Sequence, residues 1–338
     1  MKTGAYAVIL AGGKGTRLWP LSGEGASKAF VKIGGNRSLI EETLSNIRGV
    51  VNPGKTLFVV DRKQARSFRR LLRAVPGQNV LEEPCGRSTA SAVGLAAINR
   101  RPEDILIVLP CDAYVGDTVK FRKALLRAVG FVKRNSGAIV CVGIKPAFAA
   151  SGYGYIGMGK SAGPGVYRVG RFVEKPCVRA AAVLLKKKTF LWNAGIFVFT
   201  AGNMLAAMRR HSPVLYRQLM TIKKNRGSIK SVYNRMRNIS LDYQVMEKVR
   251  NVFCVKGDFA WKDLGNWTSV AVLLEKKESN FIHGKAALKN TYNSVVYNSQ
   301  DKPVGVVGAR NMVVVNTPDG VLVCAADEAE RVKELNLI

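Results

Sequence analysis

The residues best suited to chemistry sit in a glycine-rich turn near the start of the chain. An apolar stretch, residues 5–11, runs directly into Gly12-Gly13-Lys14-Gly15-Thr16-Arg17-Leu18-Trp19-Pro20. Glycines let a backbone approach phosphate oxygens closely and leave several N–H donors turned towards them. Arg17 adds a charged, bidentate contact for the same kind of ligand. The string is not a Walker A loop, which needs GxxxxGK[ST]. It is not a dinucleotide G-x-G-x-x-G either, because Leu18 stands at the last position. A plain tight turn is the alternative reading of such a strand end. A second candidate is Asp112, which follows the apolar residues 105–109 through Pro110-Cys111. Open sheets place ligands at the carboxyl ends of their strands, although an Asp there can also merely cap a turn.

Short apolar runs and helical patterns alternate through the first half and would position these groups. Strands are expected over 5–11, 56–60, 79–82, 105–109 and 137–142, with helices near 38–48, 63–74, 88–100 and 117–134. Continuously apolar strands separated by helices imply a mostly parallel sheet covered on both faces. After residue 150, residues 153–158 and 166–173 read as a hairpin, 196–199 as a strand and 201–250 as mainly helical. From about 284 the texture changes to short β segments (294–297, 304–307, 312–316, 320–324) with no helix until 328–335. Such a tail is too small to be a robust independent domain. The expected division is therefore 1–283 and 284–338, with the tail packing on the main domain or on another subunit.

The whole string from Gly12 to Ser22, with Ser27-Lys28 after it, resembles the signature of sugar-1-phosphate nucleotidylyltransferases. The Leu18-Trp19-Pro20-Leu21-Ser22 variant resembles the mannose-1-phosphate guanylyltransferase branch. Further strings follow in the family's order. Glu82-Glu83-Pro84-Cys85-Gly86-Arg87-Ser88-Thr89 is similar to the segment used against the nucleotide base, with Ser88 where Asn is usual. Pro110-Cys111-Asp112-Ala113 is similar to Pro-Ser-Asp-His, and Phe172-Val173-Glu174-Lys175-Pro176 and Trp192-Asn193-Ala194-Gly195 also match. Ser240–Lys248 resembles Ser-Ile-Asp-Tyr-x-Val-Met-Glu-Lys, and Trp261-Lys262-Asp263-Leu264-Gly265-Asn266-Trp267 resembles Trp-x-Asp-x-Gly-x-Trp. Any one Trp or Tyr here could be core alone; the ordered set is what carries the resemblance. Where the family reads Pro-Lys-Gln, this chain reads Ser27-Lys28-Ala29.

The resemblance implies a Rossmann-like α/β nucleotidyltransferase domain with a mixed, mostly parallel sheet, and a short left-handed β-helix-like C-terminal region. It implies transfer of GMP from GTP to α-D-mannose 1-phosphate with Mg2+ as cofactor. Leu10, Ala11, Gly12, Gly13, Gly15 and Thr16 would cradle the nucleotide, and Arg17 and Lys28 would neutralise its phosphates. Glu83 and Arg87 would face the base, since a carboxylate can accept from guanine N1–H and N2–H. Asp112 and Asp263 would hold the metal. Gly154, Glu174 and Asn193 would contact sugar hydroxyls and Lys175 the sugar phosphate, in keeping with carboxylates as acceptors and an ammonium as a phosphate partner. Ser88 or Thr89 is also a candidate helix cap.

Composition sets outer limits. The 338 residues carry 53 Lys+Arg against 23 Asp+Glu, a formal charge of +30, with 47% hydrophobic residues. That is globular usage, not disorder. No apolar run approaches the ~20 residues that span a bilayer, and residues 5–11 lead into glycines instead of a signal cleavage site. The six cysteines show no CxxC, so a zinc site or disulfide framework is not expected and a reducing cytoplasm is. The two histidines lie outside every motif and receive no role. The positive charge attracts polyanions. It is spread over Arg62–Arg73, Lys186–Lys188 and residues 209–237, the last with nine Lys/Arg and no acid. Solvated helix faces explain this without a specific nucleic-acid site, whose binding would then be incidental. A homodimer built through the β tail is expected. The rival activities are another sugar or base within the family, and a non-catalytic regulatory relative.

Overall fold

The computed structural model of the chain describes residues 4–13, 15–22, 27–71 and 75–335. Lys14 of the glycine turn, and Arg73 with the end of the helix expected over 63–74, lie outside the described residues. The chain divides into two compact units that cross its linear order. Residues 1–12, 46–110 and 115–261 make one; 13–45, 111–114 and 262–338 make the other. Residues 13–45 and 262–283 thus fold with the tail.

The first unit is built on a nine-stranded sheet. Its strands are β1 (Ala5–Leu10), β2 (Thr56–Asp61), β3 (Val80–Glu83), β4 (Ile105–Pro110), β5 (Ile139–Ile144), β6 (Tyr155–Gly163), β7 (Val166–Val173), β8 (Phe190–Thr200) and β9 (Val252–Gly257), in the order β3-β2-β1-β4-β8-β5-β9-β7-β6. The edge group β3-β2-β1-β4 is parallel, with Val8 beside Leu57 on one side and Val108 on the other. Strand β8 enters antiparallel to β4 and β5, and β6–β7 form the expected antiparallel hairpin. The sheet is therefore mixed. Strands β2, β4 and β5 are buried along nearly their whole length, which is why they read as unbroken apolar runs.

Helices cover this sheet. Helix α1 (Arg62–Leu71) is strongly basic, and Arg62 and Arg69 both reach Glu82, at 3.5 and 2.6 Å. Helix α2 (Ser88–Ile98) is buried on all sides, as its run of Ala, Ser and Gly permits. Helix α3 (Thr118–Arg134) begins where the Asp117 carboxylate accepts from the Lys120 N–H at 3.0 Å. It buries Phe121, Leu125, Ala128 and Val132 on one stripe, each large apolar group contributing about 1.5–3 kcal/mol. Helices α4 (Ala201–His211), α5 (Pro213–Lys224) and α6 (Ile229–Asn234) bear out the helical reading of 201–250, which ends in a π-helical turn at Asp242–Met246. Among the described residues no helix is long and apolar enough to cross a membrane.

The second unit stacks its tail in coils. Strand β11 (Asn280–His283) pairs antiparallel with β10 (Glu275–Lys277) and in parallel with β13 (Val295–Asn298); β13 pairs in parallel with β15 (Met312–Thr317), and β15 pairs antiparallel with β16 (Gly320–Ala325). A second parallel pair joins β12 (Ala286–Lys289) to β14 (Val304–Val307). The partners Ala286 and Val304, like Val295 and Val313, are one β coil apart. Successive coils stack equivalent residues: Asn316 Nδ2 donates to Asn298 Oδ1 at 3.1 Å. Asn290, Asn293 and Asn311 take left-handed backbone at the corners, which Asn tolerates better than most residues. The inner face of the coils, Val295, Tyr297, Val313, Val315 and Leu322, shares one core with Leu18, Val31, Leu39, Leu264 and Trp267.

Candidate active site

The expected site residues form three groups, one in the second unit and two in the first. In the second unit the glycine turn opens at Gly15, whose φ of +69° favours glycine. A Cβ there would also stand 2.7 Å from Lys28 Cβ, so the turn and the lysine stem fit only without a side chain. Thr16–Leu18 form a short 3-10 turn, and a Cβ on Gly13 would meet nothing within 4 Å. The Trp267 indole, fully buried, donates to the Trp19 carbonyl at 2.9 Å and anchors the segment after the turn. Ser27, which replaces the family's Pro, caps the turn that presents Lys28: its hydroxyl accepts from the Ala29 N–H at 3.3 Å.

Lys28 is the centre of this group. Its ammonium donates to Asp112 Oδ2 at 2.6 Å, and its side chain is only 9% exposed. The Leu264 N–H donates to the Asp112 carbonyl at 3.0 Å, which brings the Asp263 strand end beside Asp112 across a long stretch of chain. Burial alone would lower the Lys28 pKa; the charges of Asp112 and Asp263 outweigh it and hold the ammonium on. Asp263 is pushed up to about 6, first by burial and then by the charge of Asp112, with Lys28 and Arg17 opposing. Burial likewise raises the Cys111 thiol, which leaves it inert. Arg17 meets Glu330 Oε2 at 3.0 Å through Nε, an ion pair without an aligned hydrogen bond. Two carboxylates crowded so that one resists ionising, with phosphate-seeking cations around them, fit a hard divalent cation. Such a cation takes one or two carboxylates and completes its shell with phosphate and water oxygens.

The first unit holds the other two groups. Gly154 lies against Glu174 and Asn193: a Cβ on it would overlap Glu174 Oε2 and stand 3.2 Å from Asn193 Cβ. Asn193 is placed within β8, where β5 and β8 change register and Gly195 takes φ +68°. Its Nδ2 donates to Asp242 Oδ1 at 2.9 Å. Glu174 is 6% exposed, yet its Oε2 has no hydrogen-bond partner among the described residues. Its carboxyl is pushed up to about 7 by burial and then by Asp242, against Lys175. The Glu174 N–H is accepted by Glu247 Oε1 at 3.0 Å. Lys175 lies 3.4 Å from Glu174 and is 54% exposed. Asp242 and Glu247, to which sequence reading gave no role, are the supports of this group. Their signal was present in the Ser240–Lys248 string.

The remaining nucleotide-side candidates are also in the first unit. Ala11 donates to the Val59 carbonyl at 2.9 Å, fixing the end of β1 after Leu10. A Cβ on Gly12 would stand 3.2 Å from Glu83 Oε2. The Glu83 carboxyl is raised to about 8 by burial, with Tyr233 opposing, so it holds a proton at neutral pH. Arg87 spends its guanidinium on two backbone carbonyls, Nε on Tyr233 at 2.9 Å and Nη2 on Asn234 at 2.7 Å. The expected cap at the start of α2 is absent. Arg87 takes the N-cap position without a side-chain bond, Ser88 sits at φ +65°, and Thr89 Oγ1 accepts from the Leu241 N–H at 2.9 Å instead.

This arrangement has counterparts among known proteins. Residues 6–280 match the nucleotidyl transferase family and residues 286–336 the MannoseP isomerase/GMP-like beta-helix domain. The mannose-1-phosphate guanylyltransferase of Sinorhizobium fredii is 34% identical, over 97% of this chain and 66% of its own length. That of Salmonella muenchen is 32% identical, over 97% of this chain and 72% of its own. A crystal structure from Thermus thermophilus named mannose-1-phosphate geranyltransferase matches with a TM-score of 0.89 at 35% identity, covering 98% of both chains. The chain belongs to the nucleotidyl transferase family, in its mannose-1-phosphate guanylyltransferase branch.

Proposed function

We propose that this protein transfers GMP from GTP to α-D-mannose 1-phosphate, giving GDP-mannose and pyrophosphate. A phosphate oxygen of the sugar phosphate attacks the α-phosphorus of GTP in line. The new P–O bond forms as the bond to pyrophosphate breaks, and the electron pair leaves with pyrophosphate. The nucleophile is already an anion, so no general base is required. The barrier lies in bringing two polyanions together, and catalysis by positioning and charge answers it.

The observation that carries this reading is the Lys28–Asp112 contact with Asp263 beside it. Asp112 and Asp263 would hold Mg2+, which when bound supplies charge neutralisation to the triphosphate and the departing pyrophosphate. Arg17 and Lys28 offset the remaining phosphate charge, and Leu10, Ala11, Gly12, Gly13, Gly15 and Thr16 cradle the nucleotide. Glu83 meets the guanine edge, and Arg87 braces the start of that segment through the carbonyls it holds. Gly154, Glu174 and Asn193 receive the sugar and Lys175 its phosphate. Pyrophosphate release with GTP, mannose 1-phosphate and Mg2+, with and without EDTA and across other nucleotides and sugar phosphates, tests the reading. Preference for another pair would move the substrate assignment, and no turnover with any pair would favour a regulatory relative. A cytoplasmic homodimer belongs to this reading, and light scattering on the purified chain checks the dimer.

A second reading, polyanion binding, is favoured by two adjoining grooves of about 500 and 660 Å³ that share Lys248 and Arg250. Arg210 and His211 line one; Lys160, Arg168 and Arg171 line the other, against the single acid Glu247. Retention on RNA that falls steeply with salt would support it.

A further inference from the structure

We propose that Glu330, near the C-terminus, is a positioning residue for Arg17, so that the tail takes part in the nucleotide site. This rests on the reading of Arg17 as a triphosphate contact. Glu330 lies in the 3-10 helix Ala326–Glu334 and uses both carboxylate oxygens. Oε2 stands 3.0 Å from Arg17 Nε, and Oε1 accepts from Asn266 Nδ2 at 2.6 Å. Asn266 is itself fixed, because its side chain caps the helical turn Trp267–Val270 in a capping box with Ser269. It also follows Asp263 by three residues. One carboxylate therefore ties the phosphate turn to the loop that carries a candidate metal ligand.

The neighbouring acids do not compete for this role. Glu328 and Glu334 are both engaged by Arg331, at 2.8 and 3.2 Å. Glu330 approaches Arg17 at Nε, and the two terminal amino groups of Arg17 make no hydrogen bond among the described residues. Held on one edge, the guanidinium presents the other to an anion. Both side chains of the pair are about half exposed, so the pair adds little to stability. Its effect is to order a long side chain before the ligand arrives, which reduces the entropic cost of binding.

The test is steady-state kinetics of the full chain with GTP and mannose 1-phosphate. Glu330→Ala should raise the KM for GTP about five- to tenfold, the effect of one charge-assisted contact. The KM for mannose 1-phosphate and the melting midpoint should stay at wild-type values. Glu330→Gln, which keeps an acceptor for Asn266 but removes the charge facing Arg17, should show most of the same loss. In an Arg17→Ala background, Glu330→Ala should add nothing further. A wild-type GTP KM in Glu330→Ala while Arg17→Ala raises it would overturn the proposal and leave the Arg17 assignment standing; fully additive effects of the two substitutions would do the same. An unchanged GTP KM in Arg17→Ala would overturn the Arg17 assignment and this proposal together.

Discussion

Two of the lysine–carboxylate pairs, Lys28 with Asp112 and Lys175 with Glu174, are built for different work. Lys28 is almost fully buried and locked on Asp112 at 2.6 Å; Lys175 is half exposed and stands 3.4 Å from Glu174. Around the first pair the cations Lys28 and Arg17 oppose the upward push on Asp263, which stops at about 6. Around the second, burial and Asp242 carry Glu174 to about 7, with the partly exposed Lys175 as the nearby cation. The first group sets two carboxylates among two cations and is the candidate metal and phosphate site. The second is a pair of buried carboxyls, Glu174 and Asp242, both raised by burial, with the half-exposed Lys175 ammonium beside them. The same residue types acquire different chemistry from burial and from how firmly the lysine is held.

The sharpest way to break the comparison is to remove charge from the first group. Asp112→Asn and Asp263→Asn should each lower kcat about a thousandfold or more while circular dichroism stays native, as expected for metal ligands. Near-wild-type pyrophosphate release in either variant would end the metal assignment. In the second group the losses should be smaller and should fall on one substrate. Lys175→Ala should raise the KM for mannose 1-phosphate about tenfold, the worth of one charged contact, with the KM for GTP little changed. Equal effects on both constants would detach Lys175 from the acceptor phosphate.

Acidity separates the groups next. Asp263 takes up a proton as pH falls through about 6, and a protonated carboxyl is a poor metal ligand. Lowering pH from 7.5 to 5.5 should therefore raise the Mg2+ concentration needed for half-maximal turnover by about three- to tenfold, since a group with this pKa is mostly protonated at the lower value. A Mg2+ requirement that does not move with pH would show that Asp263 is not a ligand.

Much of the scaffold was legible in the chain, and the reasons are local. Strands β1, β2, β4 and β5 are buried on both faces, so their apolar runs announce them within one or two residues. Strand β8 was legible only at 196–199. Polar Asn193 and left-handed Gly195 interrupt its pattern, at the place where the sheet shifts register to seat a candidate sugar contact. The motif strings named Lys28, Asp112 and Asp263, yet no periodicity could say that Lys28 grips a carboxylate 84 positions away. The cap expected at Ser88 or Thr89 is not formed, because Arg87 takes the N-cap position and Thr89 turns to the Leu241 backbone. No pattern in the sequence told that Arg87, expected at the base, also donates to the Tyr233 and Asn234 carbonyls of α6. Glu330 had no sequence signal at all, since an acid in a charged terminal helix looks like surface.

The smallest effect is also the most direct contrast, because one kind of substitution should change stability in opposite directions. A carboxyl whose pKa is raised by folding stabilises most below its unfolded value near 4.5, and that contribution is gone once pH climbs through about 7, here for Glu174. At pH 8.5 Glu174 is a buried anion whose Oε2 has no hydrogen-bond partner among the described residues. Glu174→Gln removes that cost and should raise the melting midpoint by about a degree or two at pH 8.5, with little change at pH 5. Asp112→Asn instead strands the buried Lys28 ammonium, and should lower stability by about 1–3 kcal/mol at both pH values. Calorimetry on the two variants at pH 5 and 8.5 reads both signs. If both substitutions stabilise at pH 8.5, Lys28 does not depend on Asp112 as the 2.6 Å contact implies, and the distinction between a locked and a free lysine is lost.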